Sequence, residues 1–333
     1  MIRQVAVAAA AIVALVNPLA AQDKAADILK DMRKALGGDK LTAVKSLSLE
    51  GPFQREMGPR QMSGTNSLTI QLPDRMYRSE ETELPGGMSM ERIVALAGDT
   101  AWEDMKQRGG MGGGMQLVMR GPDGRDLNPQ AIEDARLRRV RNEMMRYLMA
   151  FFGGADLKPT FVAVAEAPEG KADVLEVKNE GGATVRVFVD QQTHMPLMLQ
   201  YQEVGPRMMF DGPGGRGGRG FGGGGGRGLG RGGDVGAAGP PPDAGAPPDG
   251  TQRGGRGEGG QRPSPEEMRR RIEQAGPPQP STVNLYLADY KKVDGVMLPH
   301  RLTQSVDGKP IEEWTIEKAK VNPTIKADLF EKK

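Results

Sequence analysis

Hydrophobic and polar residues repeat with two different periods along the chain, and the period changes at Ser46. Before Ser46, apolar residues recur at helical spacing and the pattern ends at Gly37-Gly38, which is typical of a helix C-terminus. These recurring residues are Ala25, Leu29, Met32 and Leu36. The pattern predicts one amphipathic helix and then a short helical turn through Leu41 and Val44.

Alternation of apolar and polar residues after Ser46 predicts strands, separated by Gly, Pro and Asp. The alternating segments before the Gly-rich block are 46–54, 61–72, 75–84, 90–105, 160–167, 173–179, 184–190 and 195–204. Residues 282–323 continue the pattern as three further strands. Alternation of this kind is typical of an antiparallel sheet with one solvated face.

Residues 130–152 interrupt the strands with a helical pattern that begins after Pro129. Ile132, Val140 and Leu148 lie along one apolar stripe, and the arginines of this segment lie largely off it. An amphipathic helix of this type docks on its own sheet or lies on a membrane surface. We favour docking on the sheet, because the strand pattern resumes directly afterwards.

Residues 205–280 form a Gly-, Pro- and Arg-rich block that is poor in large apolar residues, a composition that favours disorder. Strand patterns on both sides indicate an insertion between strands of one sheet. Arg-Gly repeats suit nucleic acids, because guanidinium groups pair with phosphates and stack on bases. In an exported protein we expect instead a solvated spacer or contacts with anionic envelope components, through Arg216, Arg219, Arg227 and Arg231.

The first 21 residues have the layout of a secretory signal peptide. Arg3 precedes an apolar run from Val5 to Val16, and small residues at Ala20 and Ala21 form a cleavage site. The run is shorter than the roughly 20 residues that span a bilayer. We therefore expect a soluble periplasmic protein that begins near Gln22.

Composition and motifs argue against several classes of chemistry. The chain has no cysteine, and its two histidines, His194 and His300, fall beside prolines. Runs of carboxylates such as 79–83 and 311–314 fit a solvated strand face better than an acid/base pair. We identify no catalytic motif, metal site or cofactor, and an enzyme of unrecognised type stays the third hypothesis.

Three stretches resemble the outer-membrane lipoprotein-sorting superfamily, known from the LolA and LolB carriers. In the first, Pro73 and Tyr77 match a strand that ends at Pro and a next strand that carries an aromatic residue. The second stretch, 95–105, is similar to the following hairpin with its Gly, Thr and Trp, and the terminal segment with Phe330 resembles the closing tail. One departure is Leu72, where classical carriers have Arg before the Pro.

The resemblance implies an α+β fold: a curved antiparallel β half-barrel with helices covering the concave face. The expected organisation is a signal peptide at 1–21, the half-barrel at 22–204 and 281–333 with a Gly/Met-rich loop at 106–128, and the disordered insertion at 205–280. The implied function is non-catalytic binding of lipid or lipoprotein acyl chains by a monomer. The alternative is an envelope interaction protein that binds anionic lipid, polymer or an acidic partner through its Arg-Gly insertion, without nucleic acid.

An apolar cavity is expected on the concave face. Its candidate lining residues are Tyr77, Met90, Trp102, Met144, Leu148 and Phe152. The chain has 20 methionines, which would suit an adaptable lining for variable acyl chains or simple filling of core gaps.

Export predicts a defined N-terminus. When the full chain is produced in a Gram-negative host, N-terminal sequencing of the periplasmic protein should begin within a residue or two of Gln22. Cytosolic protein that retains Met1 would contradict this prediction and restore the nucleic-acid hypothesis for the insertion.

Overall fold

The computed structural model describes residues 12–13, 18–58, 60–84, 87–108, 128–154, 157–167, 170–179, 182–203 and 280–332. Within these ranges the helices are α1 (Pro18–Leu36), α2 (Asp39–Thr42) and α3 (Pro129–Phe151). The strands are β1 (Ile12–Val13), β2 (Ser46–Met57), β3 (Arg60–Gln71), β4 (Arg75–Leu84), β5 (Met88–Ala97), β6 (Thr100–Arg108), β7 (Thr160–Ala167), β8 (Gly170–Lys178), β9 (Thr184–Asp190), β10 (Pro196–Glu203), β11 (Ser281–Val293), β12 (Val296–Val306), β13 (Lys309–Thr315) and β14 (Lys318–Val321). A 3-10 turn, Ala327–Phe330, follows β14.

The predicted helices are confirmed. Helix α1 starts at Pro18, earlier than the helical pattern predicted, and α2 is the short turn expected beside Leu41. Helix α3 begins after Asn128, whose side-chain oxygen accepts a hydrogen bond from the Gln130 backbone N–H at 3.0 Å and caps the first turn. The fold class predicted from the sequence, α+β with an antiparallel sheet, is confirmed.

All of the described strands belong to one antiparallel sheet. The order is β1-β7-β8-β9-β10-β11-β12-β13-β2-β3-β4-β5-β6, and β14 also pairs with β2. Three strands were predicted after residue 280 and four are present, because Lys318–Val321 pairs with Leu47–Glu50. Strands β6 and β1 are the two ends of the order, so the sheet is open.

The sheet curves strongly around α3. Two consecutive residues of α3 contact distant parts of the sheet: Arg141 pairs with Asp99 between β5 and β6, and Asn142 accepts a hydrogen bond from Asn179 after β8. Strands β8 and β6 are ten positions apart, which would be roughly 48 Å in a flat sheet at about 4.8 Å per strand. Only a curved sheet brings both to one turn of a helix, so the half-barrel predicted from the resemblance is confirmed.

The concave face is the apolar core. Leu47, Ile70 and Met76 on the strands are buried there against Met32 of α1 and Met149 of α3. Irregular register within the β7–β8, β9–β10 and β12–β13 pairs accompanies the curvature, as β-bulges do by increasing local twist.

Strand β2 changes partner at Gly51. Residues before Gly51 pair with β14, and Phe53 to Arg55 pair with β13. A Cβ atom at Gly51 would lie 1.9 Å from the Thr315 carbonyl oxygen, so a side chain has no space there. The Gly51 carbonyl accepts a hydrogen bond from the Trp314 indole N–H at 3.2 Å, which fixes Trp314 on the concave face.

A smaller cluster lies on the opposite, convex face. Ile93, Ala95 and Trp102 are buried there with Tyr77 packed against them. The Trp102 indole donates a hydrogen bond to the Phe330 carbonyl at 2.8 Å, so the C-terminal turn covers this cluster. No helix in the described ranges has both the length and the apolar character needed to span a membrane.

The register predicts that the insertion can be removed. Strand β10 pairs with β11 as the strand pattern indicated, and Glu203 lies directly opposite Ser281. Deletion of residues 207–279 with a short Gly-Ser turn should leave the thermal midpoint unchanged or slightly raised, because loop closure costs only about 0.6 kcal/mol per doubling of length. Circular dichroism on wild type and deletion variant measures this. Loss of cooperative unfolding would show that the insertion contributes to the core.

Candidate functional site

A cavity of about 260 Å³ lies between α3 and the concave face of the sheet. It is lined by charged and aromatic residues as well as aliphatic ones. The lining residues are Arg55, Asn66, Arg78, Glu80, Arg92, Arg139, Glu143, Arg146, Tyr147, Tyr201, Glu203, Leu285, Leu302, Gln304, Ile311, Glu312 and Trp314. The lining of this cavity is therefore strongly charged, whereas the sequence led us to expect an apolar one.

Strand alternation and register bring the charged residues together. Arg78 and Glu80 follow Met76 at every second position of β4 and share its inward face. Glu80 lies opposite Asn66 in the β3–β4 register, and Arg55 lies opposite Glu312 in the β2–β13 register. Sequence-distant residues thus become direct neighbours on the concave face.

Glu80 is the centre of a buried ion-pair network. Arg55 donates two hydrogen bonds to its carboxylate, Nη1 to Oε1 at 2.6 Å and Nη2 to Oε2 at 2.8 Å. The Nε of Arg55 donates to Glu312 at 2.6 Å, and Arg78 Nη1 donates to Glu80 Oε2 at 3.1 Å. The Glu80 side chain is only 6% exposed, so its charge depends on these partners.

The network reaches helix α3 through Arg78. The Arg78 Nε lies 2.7 Å from Glu143 Oε1, which joins β4 to α3. Tyr147, one turn further along α3, donates a hydrogen bond to Glu143 at 3.3 Å. At the rim, Arg139 pairs with Glu103 of β6. Helix α3 is therefore attached to the sheet by charges as well as by its apolar face.

The arginines keep the buried carboxylates ionised. Burial favours the neutral form of Glu80, but the hydrogen bonds and attraction from Arg55 outweigh it, so the pKa of Glu80 is below its ordinary value. The same balance of burial against attraction from Arg78 lowers the pKa of Glu143. Burial, aided by Glu143, raises the pKa of Tyr147, which stays a hydrogen-bond donor at neutral pH.

Arg146 and Asn66 are polar residues of the lining that lie outside this network. Arg146 has its guanidinium 4.2 Å from the centre of the Tyr201 ring and makes no ion pair or hydrogen bond within the described ranges. Asn66 is 3% exposed, and its side-chain oxygen has no hydrogen-bond partner there. Burial raises the pKa of Tyr201 to about 12, so its hydroxyl is neutral.

The predicted cavity residues lie in several places, and none of the six lines this cavity. Met144 and Phe152 are buried in the main core, and Leu148 packs against it. Tyr77 and Trp102 belong to the convex cluster, away from α3. The sixth, Met90, is half-buried on β5, two positions from Arg92. A ligand contact by any of them stays a prediction, and Arg216, Arg219, Arg227 and Arg231 lie outside the described residues.

The charged network was missed from the sequence. The interpretation of 79–83 as a solvated face is right for Glu81 and Glu83, which are exposed, and wrong for Glu80. The alternation of β4 does indicate the burial of Glu80, because Glu80 is four positions from buried Met76 and therefore lies on the same face of the strand. Its partner Arg55 could not be identified, since the pairing depends on the β2–β3–β4 register.

The two histidines lie in different surroundings. His300 is buried, and its Nδ1 lies 3.0 Å from the Leu298 carbonyl oxygen, whereas His194 lies in the turn before β10. Over the described part of the chain, no group of three or more His, Cys, Asp or Glu side chains could hold a metal ion.

Neutralising Glu80 should destabilise the protein. Glu80→Gln leaves Arg55 and Arg78 without their shared charge, and removing one partner of a buried ion pair costs about 3–5 kcal/mol. Urea unfolding at pH 7 should show a loss near the lower end, because Gln still accepts hydrogen bonds. The matched control is Glu50→Gln, which removes an exposed pair with Lys318 and should leave the urea midpoint nearly unchanged, because water screens exposed ion pairs.

The difference in unfolding free energy between wild type and Glu80→Gln should depend on pH. Because the folded pKa of Glu80 is below the unfolded value of about 4.3, its stabilisation is complete above that value and is lost as pH falls through the folded pKa. Unfolding curves of wild type and Glu80→Gln should therefore converge below about pH 4. Equal stability of the two at pH 7 would contradict the role assigned to the network.

Comparisons with known proteins give distant structural likenesses. No known family model matches the chain, and no curated protein matches it in sequence. A DUF1329 family protein from Desulfovibrio piger aligns over 93% of this chain and 97% of its own, with TM-score 0.41 and 8% identity. A putative outer membrane lipoprotein-sorting protein domain from Vibrio parahaemolyticus aligns over 95% and 97%, with TM-score 0.41 and 9% identity.

A third solved structure, a LolA superfamily protein from Nitrosomonas europaea, aligns over 92% of this chain and 97% of its own, with TM-score 0.41 and 8% identity. The fold itself is established by the strand order and curvature: an open antiparallel half-barrel with helices against its concave face.

Proposed function

We propose that the protein is a periplasmic binding protein that holds one amphiphilic ligand, such as a lipid acyl chain, between α3 and the concave face of the sheet. The observation that carries this proposal is the cavity, whose walls differ in polarity. A binding site of this kind orients a ligand, because one wall accepts apolar surface and the other accepts polar groups.

The apolar wall consists of the aliphatic and aromatic lining residues of strands β11 to β13, which lie beside Gln304 and Glu312 of the same strands. Leu285, Leu302 and Trp314 lie there, together with Ile311. Leu302 and Trp314 are also part of the main core, so the wall is continuous with it. An alkyl segment against this wall would bury apolar surface at about 25 cal/mol per Å².

The charged wall is formed by β2 to β5 and by α3. Its carboxylates Glu80 and Glu143 have lowered pKa values and are held in ion pairs. A general acid needs a pKa near the working pH, which these groups do not have. Their state supports binding rather than catalysis.

The cavity volume limits the ligand. Pockets for drug-sized molecules usually measure about 300–1,000 Å³, and this cavity is slightly smaller. A long acyl chain needs further space, which side chains of α3 such as Met144, Met145 and Met149 can provide by changing rotamer. The methionines thus fill the core in this structure and would form an adaptable lining when a chain enters.

The second candidate function is binding of anionic envelope components by the Arg-Gly insertion. The observation that favours it is the pairing of Glu203 with Ser281, because these two residues flank the proposed insertion and Glu203 also lines the cavity. The insertion would then act next to the ligand cavity. Salt-sensitive binding that disappears in the deletion variant distinguishes this function.

Ligand binding should be visible through one tryptophan and not the other. The chain has two tryptophans, Trp314 at the cavity and Trp102 in the convex cluster. In Trp102→Phe, titration with dodecanoate or dodecanol should change the emission of Trp314. In Trp314→Phe, the same titration should leave the emission of Trp102 unchanged.

Circular dichroism of both variants checks that they fold as wild type does. An equal change in both variants would place the ligand elsewhere. Absence of any change with fatty acids and alcohols of medium and long chain would overturn the proposed function.

A further inference from the structure

We propose that the charged wall of the cavity is a seat for an anionic headgroup, a carboxylate or a phosphate, and that Arg146 and Asn66 are the residues that contact it. The inference rests on the proposed function and adds the chemical class of the ligand. It is carried by Arg146 and Asn66, two buried residues of the lining with donor groups that the ion-pair network does not use.

The charges of the lining favour an anion. Five arginines and four glutamates line the cavity. Arg55 and Arg78 are paired with Glu80, Glu143 and Glu312. Of the other three arginines, Arg92 and Arg139 share Glu103, and Arg146 is attracted by Glu143 and Glu203 without forming an ion pair to either in the described ranges. An added negative charge is thus favoured on this side of the cavity.

The remaining carboxylates do not neutralise these three arginines. Glu103, just outside the lining, pairs with Arg139 and lies 3.7 Å from Arg92. Glu203 of the lining makes no ion pair within the described ranges. The guanidinium groups of these three arginines therefore share only the carboxylates of Glu103 and Glu203. A cationic headgroup near Glu203 would also be repelled by this excess of positive charge.

Arg146 is positioned to bind an oxyanion. Its guanidinium is held over the Tyr201 ring at 4.2 Å, which fixes the orientation without using its N–H donors. The planar fork of N–H groups matches the two oxygens of a carboxylate or phosphate. Tyr147, the next residue, shares the lining with it.

Asn66 supplies the second contact. It is 3% exposed, lines the same cavity and makes no side-chain hydrogen bond within the described ranges, although buried polar groups are normally paired. Its neighbour across the strand, Glu80, is already saturated by Arg55 and Arg78. The amide group can present its N–H donors to a headgroup oxygen. The buried atom without a partner is Oδ1, and a 180° flip of the amide would put the Nδ2 donors in its place, where a headgroup oxygen can accept a hydrogen bond from them.

The two walls together define the orientation of the ligand. The headgroup would lie at Arg146 and Asn66, and the alkyl segment would extend along Leu285, Leu302 and Trp314. A fatty acid and an alkyl phosphate monoester share this chemistry, whereas a fatty alcohol has the chain without the charge.

The experiment compares dodecanoate, dodecyl phosphate and dodecanol with the Trp314 emission of the Trp102→Phe protein. The charged ligands should bind at least tenfold more tightly than dodecanol, since a hydrogen bond to a charged group is worth about one factor of ten or more. Introducing Arg146→Gln into this protein should lower the affinity for the charged ligands about tenfold. The affinity for dodecanol should change by less than about twofold. Arg146→Lys should restore part of the loss, because the positive charge is retained.

The control is Arg301→Gln, which removes an arginine paired with Asp289 outside the cavity. It should change the affinity of no ligand. Inorganic phosphate should compete with dodecyl phosphate and with dodecanoate in the parent protein and lose this effect in Arg146→Gln. If dodecanoate binds more tightly than dodecyl phosphate, the seat is for a carboxylate, and the reverse order indicates a phosphate.

Equal affinity for dodecanol and the charged ligands, unchanged by Arg146→Gln, would overturn the headgroup seat while leaving the proposed function in place. Absence of binding by all three would overturn both. If Arg146→Gln fails to fold, Asn66→Leu provides the second test, because it removes the amide without adding charge. Unchanged selectivity in a folded Asn66→Leu protein would then overturn the inference.

Discussion

Glu80 is the residue on which the arrangement of the concave face depends. Its buried carboxylate is shared by Arg55 and Arg78, which also contact Glu312 of β13 and Glu143 of α3. A buried charge is tolerated only when it is paired and hydrogen-bonded, so these elements must adopt one relative position. The apolar face of α3 can slide against other apolar surface, whereas this network permits one registration of helix and sheet.

The same network gives the concave face its two kinds of surface. Below it, α1 and α3 fill the half-barrel with Met32, Met149 and their neighbours, as a close-packed core requires. Around it, the charges prevent the core from closing, and a cavity remains. The resulting site has an apolar wall that continues the core and a charged wall with unused donors. This combination favours an amphiphile over a purely apolar ligand.

Curvature connects the sheet to the site. Because the strands wrap around α3, one helical turn contacts both Asp99 and Asn179, and residues of nine different elements meet at the cavity. Gly51 also contributes to this arrangement. At Gly51, strand β2 changes its partner from β14 to β13, and a side chain would have no space there. Strands β10 and β11, far apart in the sequence, are direct neighbours in this sheet, with Glu203 opposite Ser281.

The sequence by itself determined the elements, since strand alternation and helical spacing are local: β2 to β10 and α3 agree with the pattern to within a few residues, and the resemblance predicted how the strands assemble. It also predicted that methionines fill the core or line a cavity, and Met144, Met145 and Met149 are buried in the core. It did not reveal the charged cavity. Glu80 and Arg55 are separated by 25 positions, and the alternating carboxylates of β4 are equally consistent with a solvated face. Only register, curvature and the docking of α3 decided which face of β4 became buried, because the partners that keep a buried charge ionised come from other strands and from the helix.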